Sequence, residues 1–277
     1  MEFWSEISHA IFKWLHIIAG ITWIGLLYFF NFINGHVAST YDADSKKKVV
    51  PELMPRTLYW FRWGAAWTWF TGVILLFVVF YYGGLMPQNF TSYVDELGDE
   101  VKANMWIHIS LLLTFIMVFA YDLFYKTSLG KNTRVATIIS FITIGGFIYM
   151  MSCYAGLEYR AYNMHIGAMF GTMMAFNVWF RIWPAQQRII TAIKGGDAPN
   201  AADVGLAGLR SKHNTYMSVP LIWTMINAHT TKFSMIKVFG YEINGQVWLL
   251  IFIALGWHLV FQLYRKSAKE KVFLLLF

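Results

Sequence analysis

Eight histidines are the side chains of this sequence with the widest chemical repertoire, and most of them stand inside long apolar runs. The stretch KWLHIIAGITWIG, residues 13–25, sets His16 in a helical apolar segment with Gly20 one turn on and Trp23 two turns on. His108, His165 and His229 have comparable settings, and His258 stands deep in the last long apolar run. A neutral imidazole in hydrocarbon has two uses. It can hydrogen-bond a neighbouring helix, or it can offer its lone pair to haem iron, copper or zinc. Polar groups there are costly and usually functional, so a histidine on each of four helices at one depth points to ligation. Small residues beside a ligand let a flat macrocycle approach the backbone. Gly20, Gly167 and Gly171 meet that need, although glycines at packed helix crossings are expected as well.

The elements that must position these residues follow from composition. Of 277 residues, 57% are hydrophobic and only 13% charged, against about 25% charged in soluble domains. Mean hydropathy is +0.47. The fold class is therefore an all-α integral membrane protein. A crossing takes roughly 20 apolar residues, and seven runs approach that length: 9–33, 64–84, 105–125, 134–154, 163–183, 214–229 and 246–265. The sixth is the shortest and holds Pro220. The expectation is one polytopic domain over 1–277, a bundle of about seven transmembrane helices. The first run has neither a basic leader nor a small-residue cleavage site and reads as a span. The stretch 34–63 is expected to be an interfacial, cytoplasmic connector with Trp60 and Trp63 at headgroup level. A cytoplasmic loop is expected over 184–213, with KGGDAPNAADVGLAG as a flexible linker. The last six residues, VFLLLF, cover only about 9 Å as helix and read as an interfacial tail or the opening of an eighth span. The single cysteine, Cys153, excludes an internal disulfide and a CxxCH haem-attachment motif within this sequence. There is no P-loop, GxGxxG fingerprint or Ser–His–Asp arrangement.

Orientation follows from the basic residues. Seventeen Lys and Arg fall on the side of the C-terminus and of the loops after spans one, three and five, and five fall on the other. The positive-inside rule then gives N-out and C-in, and the net charge of +7 belongs to this asymmetry rather than to a nucleic-acid partner. On that topology His16, His108 and His165 lie near the outer starts of spans one, three and five. His229 returns to the same side at the end of span six. His9 sits at the outer mouth, His258 near the midplane, and His36 and His213 on the cytoplasmic face. The pattern favours at least one haem b, with His16 paired to His165 or His108 as first axial ligands and His229 and His258 as alternates. The remaining outer histidine is available for a second metal or as a general base. Asp122 and Arg181, near span ends, are expected to snorkel. Asn177 is expected to make an interhelical hydrogen bond, and Met164, Met169, Met173 and Met174 to pack in the core.

Three segments carry a resemblance. LHIIAGITWIG followed by NFINGH resembles the first helix of the membrane urate hydroxylase (PuuD-type) family. MHIGAMFGTMMAFNVWFRIWPAQ, residues 164–186, and RSKHNTYMSVPLIWTMINAH, residues 210–229, resemble two of its later segments. The resemblance implies a multi-pass protein of the bacterial inner membrane, linked to purine catabolism and oxidising urate. It further implies that electrons leave through haem to a c-type cytochrome, fused in relatives or separate. By motif position His16, His165, His213, Asn214 and His229 match the family. Two other readings share the histidine pattern: a non-catalytic haem-bearing subunit of a larger respiratory complex, and a copper transport or resistance protein.

The charge asymmetry makes a direct prediction. A cysteine introduced into 34–63 of a Cys153→Ser background will resist a membrane-impermeant thiol reagent in intact cells and label after permeabilisation. Labelling in intact cells would reverse the orientation.

Overall fold

The computed structural model describes residues 2–82, 92–94, 100–102, 105–227, 235–238 and 240–267, and these are helical apart from two short hairpins. Helix α1 (Glu2–Tyr28) passes through a π turn, Phe29–Asn34, into the short α2 (Gly35–Val37). Helix α3 (Ala43–Leu76) ends in a second π turn, Phe77–Tyr81. There follow α4 (Met105–Phe124), the one-turn α5 (Ser128–Lys131) and α6 (Thr133–Tyr149), which ends in a π turn at Met150–Tyr154. Helix α7 (Tyr159–Asn177) continues through the π turn Val178–Ile182 into α8 (Trp183–Gly195). Then come α9 (Ala201–Ile226) and α10 (Gly245–Lys266). Strands β1 (Ser92–Val94) and β2 (Glu100–Lys102) pair antiparallel with Tyr93 opposite Val101. Strands β3 (Met235–Val238) and β4 (Tyr241–Asn244) pair likewise with Ile236 opposite Ile243.

Among the described residues, five helical stretches are long and apolar enough to cross a bilayer: Glu6–Thr40, Ala43–Tyr81, Met105–Phe124, Thr133–Tyr154 and Gly245–Lys266. Helices α7 and α9, expected as spans five and six, are not among them, and the cause is compositional. They carry Asn163, His165, Asn177, Arg210, Asn214, Thr215, Ser218 and Thr224, all buried. The apolar helices do the reverse: Ile21, Leu112, Phe119, Ile138, Ile142 and Leu255 are exposed. An apolar core that also admits these polar groups, beneath an exterior this apolar, departs from the arrangement of a protein in water, where large exposed apolar patches are rare.

Helix fills much of the two expected connectors. Within 34–63, α3 begins at Ala43 and runs unbroken through Pro51 and Pro55. Asp42 starts it, its carboxylate accepting from Ser45 N at 2.7 Å; that bond holds the carboxyl below its usual range. Of the expected linker only 196–200 is left outside helix. Gly196, at φ +90°, ends α8 in the left-handed conformation that glycine adopts without steric cost. Asn200 Oδ1 then accepts from Ala202 N at 2.8 Å and opens α9. Arg188 forks onto Asp203 at 2.9 and 2.6 Å, tying α8 to the first turn of α9. Pro220 does not end α9, which continues to Ile226. The terminal VFLLLF, with its possible eighth span, and His229 lie outside the described residues.

Two compact units emerge from the packing. One comprises Met1–Lys13, Thr71–Met173 and Pro220–Leu255; the other comprises Trp14–Phe70, Met174–Val219 and Gly256–Phe277. The first is built on Phe80, Ile148, Met151, Ile166, Leu249 and Ile253, and the second on Trp23, Leu27, Phe61, Ala65, Ile182 and Val260. In the second, α1 and α3 touch backbone to backbone. A Cβ on Gly64 would stand 3.2 Å from Trp23 N and 3.4 Å from Ala19 O.

Two outcomes follow from this packing. Gly64→Leu will destabilise the protein by about 1–3 kcal/mol, as overpacked sites do, read as a lowered thermal midpoint in detergent. The Arg188 fork holds the Asp203 carboxyl below its usual range. A carboxyl lowered by folding stabilises above its unfolded pKa and loses that contribution as pH falls below about 4. Asp203→Asn will therefore flatten the acid limb of a plot of thermal midpoint against pH, by a small amount because the pair is exposed.

Candidate functional site

The best-defined polar arrangement in the first unit centres on His165. Its side chain is fully buried on α7, and Nδ1 lies 2.7 Å from Ala161 O, one turn earlier. A carbonyl only accepts, so Nδ1 carries the hydrogen and the neutral ring presents a lone pair at Nε2. Tyr81 Oη stands 2.8 Å from that nitrogen and donates to it. The π turn Phe77–Tyr81 delivers the phenol, and it adds a residue to the turn so that Tyr81 points where an α-helical continuation would not. Phe80 closes the site, its ring centroid 6.3 Å from the imidazole. The result is a buried Tyr–His pair whose proton positions follow from its partners.

Beside it, α7 and α9 interlock through small and polar groups. Asn163 Nδ2 donates to Thr224 O at 3.2 Å, and its Oδ1 is buried without a partner among the described residues. Gly167 makes room for the Thr224 hydroxyl, and a Cβ there would also come 2.9 Å from Met225 Cε. In the second unit Asn177 Nδ2 donates to Asn214 Oδ1 at 2.8 Å, and Asn214 Nδ2 donates to Met174 O at 3.0 Å. Tyr28 Oη meets Ser218 Oγ at 3.0 Å. Asn31 Nδ2 donates to Ser211 Oγ at 2.8 Å, while Asn31 Oδ1 accepts from Tyr264 Oη at 2.9 Å.

The expected site residues are distributed unevenly. His16 is half-buried on α1 and hydrogen-bonds the Thr68 backbone on α3. His108 and His258 are exposed, and His258 Nε2 lies 3.1 Å from Gln262 Nε2 one turn on. His36 Nε2 contacts Ser267 Oγ at 3.1 Å. His213 lies beside the cations Arg210 and Lys212. Among the described residues no three His, Cys, Asp or Glu side chains converge to hold a metal. Gly20 faces Thr68 Cγ2 at 3.8 Å from its Cβ position, Gly167 is filled by α9, and only Gly171 has open space beside it. At His16 the backbone bond to Thr68 orients the ring in the way that outer partners orient metal-binding histidines, so its donor chemistry would fit a haem group. At His165 it would not, because Tyr81 already occupies the Nε2 lone pair. Asp122, expected to snorkel, is instead buried and paired with Lys126 at 2.8 Å. Asn177 and the methionines 169, 173 and 174 behave as expected.

Tyr81, Asn163, Asn31 and Thr224 were not singled out in the sequence. Their only signal is indirect: α7 and α9 are less apolar than the helices around them in the chain.

An all-α protein with buried asparagine, histidine and threonine, many exposed large apolar side chains and five helices long and apolar enough to cross a membrane is of a class compatible with a multi-pass membrane protein. Within that class, the chain is a member of the urate oxidase N-terminal family, which it matches over residues 36–276. No curated protein and no solved structure matches it. His165, Gly167, Gly171, His213 and Asn214 fall within the matched residues, whereas His16 and Gly20 precede them.

Asn214 is the most heavily committed of these groups. Asn214→Leu will remove the acceptor of Asn177 Nδ2 and the donor to Met174 O, and will lower stability by about 1–3 kcal/mol. Thermal denaturation of the detergent-solubilised variant measures it.

Proposed function

We propose that this protein is the membrane-embedded part of a urate-oxidising enzyme, crossing the bacterial inner membrane seven times with its N-terminus outside. The family match over 36–276 carries the urate reading. The membrane reading is supported by the five long apolar stretches and by the buried polar groups that account for the lower hydropathy of α7 and α9.

Oxidation of urate removes electrons that no protein side chain accepts at ordinary potentials, so a redox group is required. Haem b, held through His16, would supply a one-electron carrier and pass electrons on to a c-type cytochrome. This chain's own residues handle protons. Loss of electrons makes the N–H groups of urate more acidic, and the Tyr81–His165 pair is a neutral acceptor for what they release. Tyr81 Oη gives its hydrogen to His165 Nε2 and takes another from the substrate side. Nδ1 stays bonded to Ala161 O throughout, so the imidazolium that forms is already oriented. Exclusion of water around the pair, with Tyr81 itself nearly buried, keeps that transfer directional.

The test is urate consumption by the purified protein with ferricytochrome c as acceptor, alongside its visible spectrum. Tyr81→Phe will lower kcat by about 10²-fold or more, the typical share of a positioned proton-transfer group, and leave the spectrum unchanged. His16→Ala will remove or strongly shift the haem bands, whereas His165→Ala will keep them and lose turnover. Absence of urate turnover with any acceptor defeats the enzymatic reading.

A further inference from the structure

Arg62, on α3, is a cation with three aromatic partners and, among the described residues, no anionic one. Its guanidinium carbon lies 4.0 Å from the Trp183 ring centroid and 5.7 Å from those of Tyr59 and Trp179. Trp63 stands edge-on to Trp179 at 5.4 Å, and Trp179 Nε1 donates to the Arg62 carbonyl at 3.0 Å. That bond pins α3 to the π turn Val178–Ile182, and all these residues belong to the second unit. Other arginines nearby are paired: Arg56 with Glu52 at 3.0 Å, and Arg188 with Asp203. Among the described residues no carboxylate pairs with Arg62 and none of its N–H groups donates to a protein acceptor, Nε being buried without one.

Rings hold a guanidinium by its faces and leave free the edge along which its N–H groups point. That edge matches two oxygens of one phosphate, which accept parallel N–H bonds. The surroundings indicate which phosphate. Tyr59, Trp60 and Trp63 are 48%, 62% and 40% exposed, an aromatic set of the kind found at headgroup level. Lys46, Lys47 and Lys48 precede them on the basic side of the chain, where a zwitterionic headgroup would bring a further cation. We propose that Arg62 seats the phosphate of an anionic phospholipid in the leaflet on that side. This rests on the membrane reading above.

Native mass spectrometry of the full chain, delipidated in detergent and titrated with dioleoylphosphatidylglycerol or dioleoylphosphatidylcholine, tests it. Wild-type protein will retain the first phosphatidylglycerol adduct about fivefold better than the phosphatidylcholine adduct, the ratio expected for one basic group at a headgroup. Arg62→Gln will remove the preference, and Arg56→Gln, on a separate ion pair, will keep it. Arg62→Lys retains the charge but neither lies on Trp183 nor offers a fork, and will lower the preference about twofold; it carries the comparison if Arg62→Gln does not fold. An unchanged preference in the Arg62 variants overturns the proposal, as does displacement of phosphatidylglycerol by inorganic phosphate, which would make this a free-phosphate site. Carbonate washing of membranes separates the two readings. A chain that washes off loses the membrane reading, and one that stays without an Arg62-dependent preference loses only this one.

Discussion

A buried amide, hydroxyl or imidazole surrounded by apolar side chains has to find its partner within the protein, and most of this fold follows from that constraint. Helices α7 and α9 hold the largest share of such groups, and each unit contains an asparagine that crosses from α7 to α9. Such bonds fix the rotation of both helices about their axes, because a helix turned by one residue would leave donors facing apolar carbon. Gly167 against Thr224 tightens the same contact by letting the backbones approach. The remaining helices carry fewer such groups: Thr68 and Thr71 on α3 and Ser110, Thr114 and Asp122 on α4 are buried, while many of their large apolar side chains are exposed.

This division explains what was legible in the sequence. Length and apolarity identify α1, α3, α4, α6 and α10 directly, because the property that makes them helices of this class is written in every residue. The helical part of 43–63 was not legible as a continuation of α3, since its polar start reads as a connector and Pro51 and Pro55 disfavour helix unless the capping Asp42 and the tertiary packing are known. Residues 201–208 read as a Gly/Ala linker for a similar reason, although Asn200 and Asp203 already formed a helix start. Hydropathy does not mark α7 and α9 as spans, because both carry polar groups that are buried against partners within the protein.

The site was legible by residue type and not by role. Spacing singled out His165, and its intrahelical partner Ala161 follows from helix geometry. Tyr81 could not be found, because its partnership depends on a π turn and on an approach between segments 84 residues apart in the chain. The histidine pattern alone suggested one shared function for His16 and His165. Their hydrogen bonds separate them: His16 is oriented by one backbone contact, while His165 has both ring nitrogens engaged. Chemistry that asks a ring to bind a metal and chemistry that asks it to carry a proton compete for the same lone pair, and at His165 that lone pair accepts from the Tyr81 phenol.

The π turns at the ends of α1, α3, α6 and α7 have a bearing on how tolerant this chain is of change in length. A π turn is an α-helix that has absorbed one extra residue without losing its axis. Each marks a place where the numbering of a helix face steps by one, so the residues before it and after it can be placed on their faces independently. For the stretch ending at Tyr81, the register of the span and the aim of the phenol are separate variables. A one-residue insertion or deletion there re-aims the catalytic candidate while the span itself stays in register.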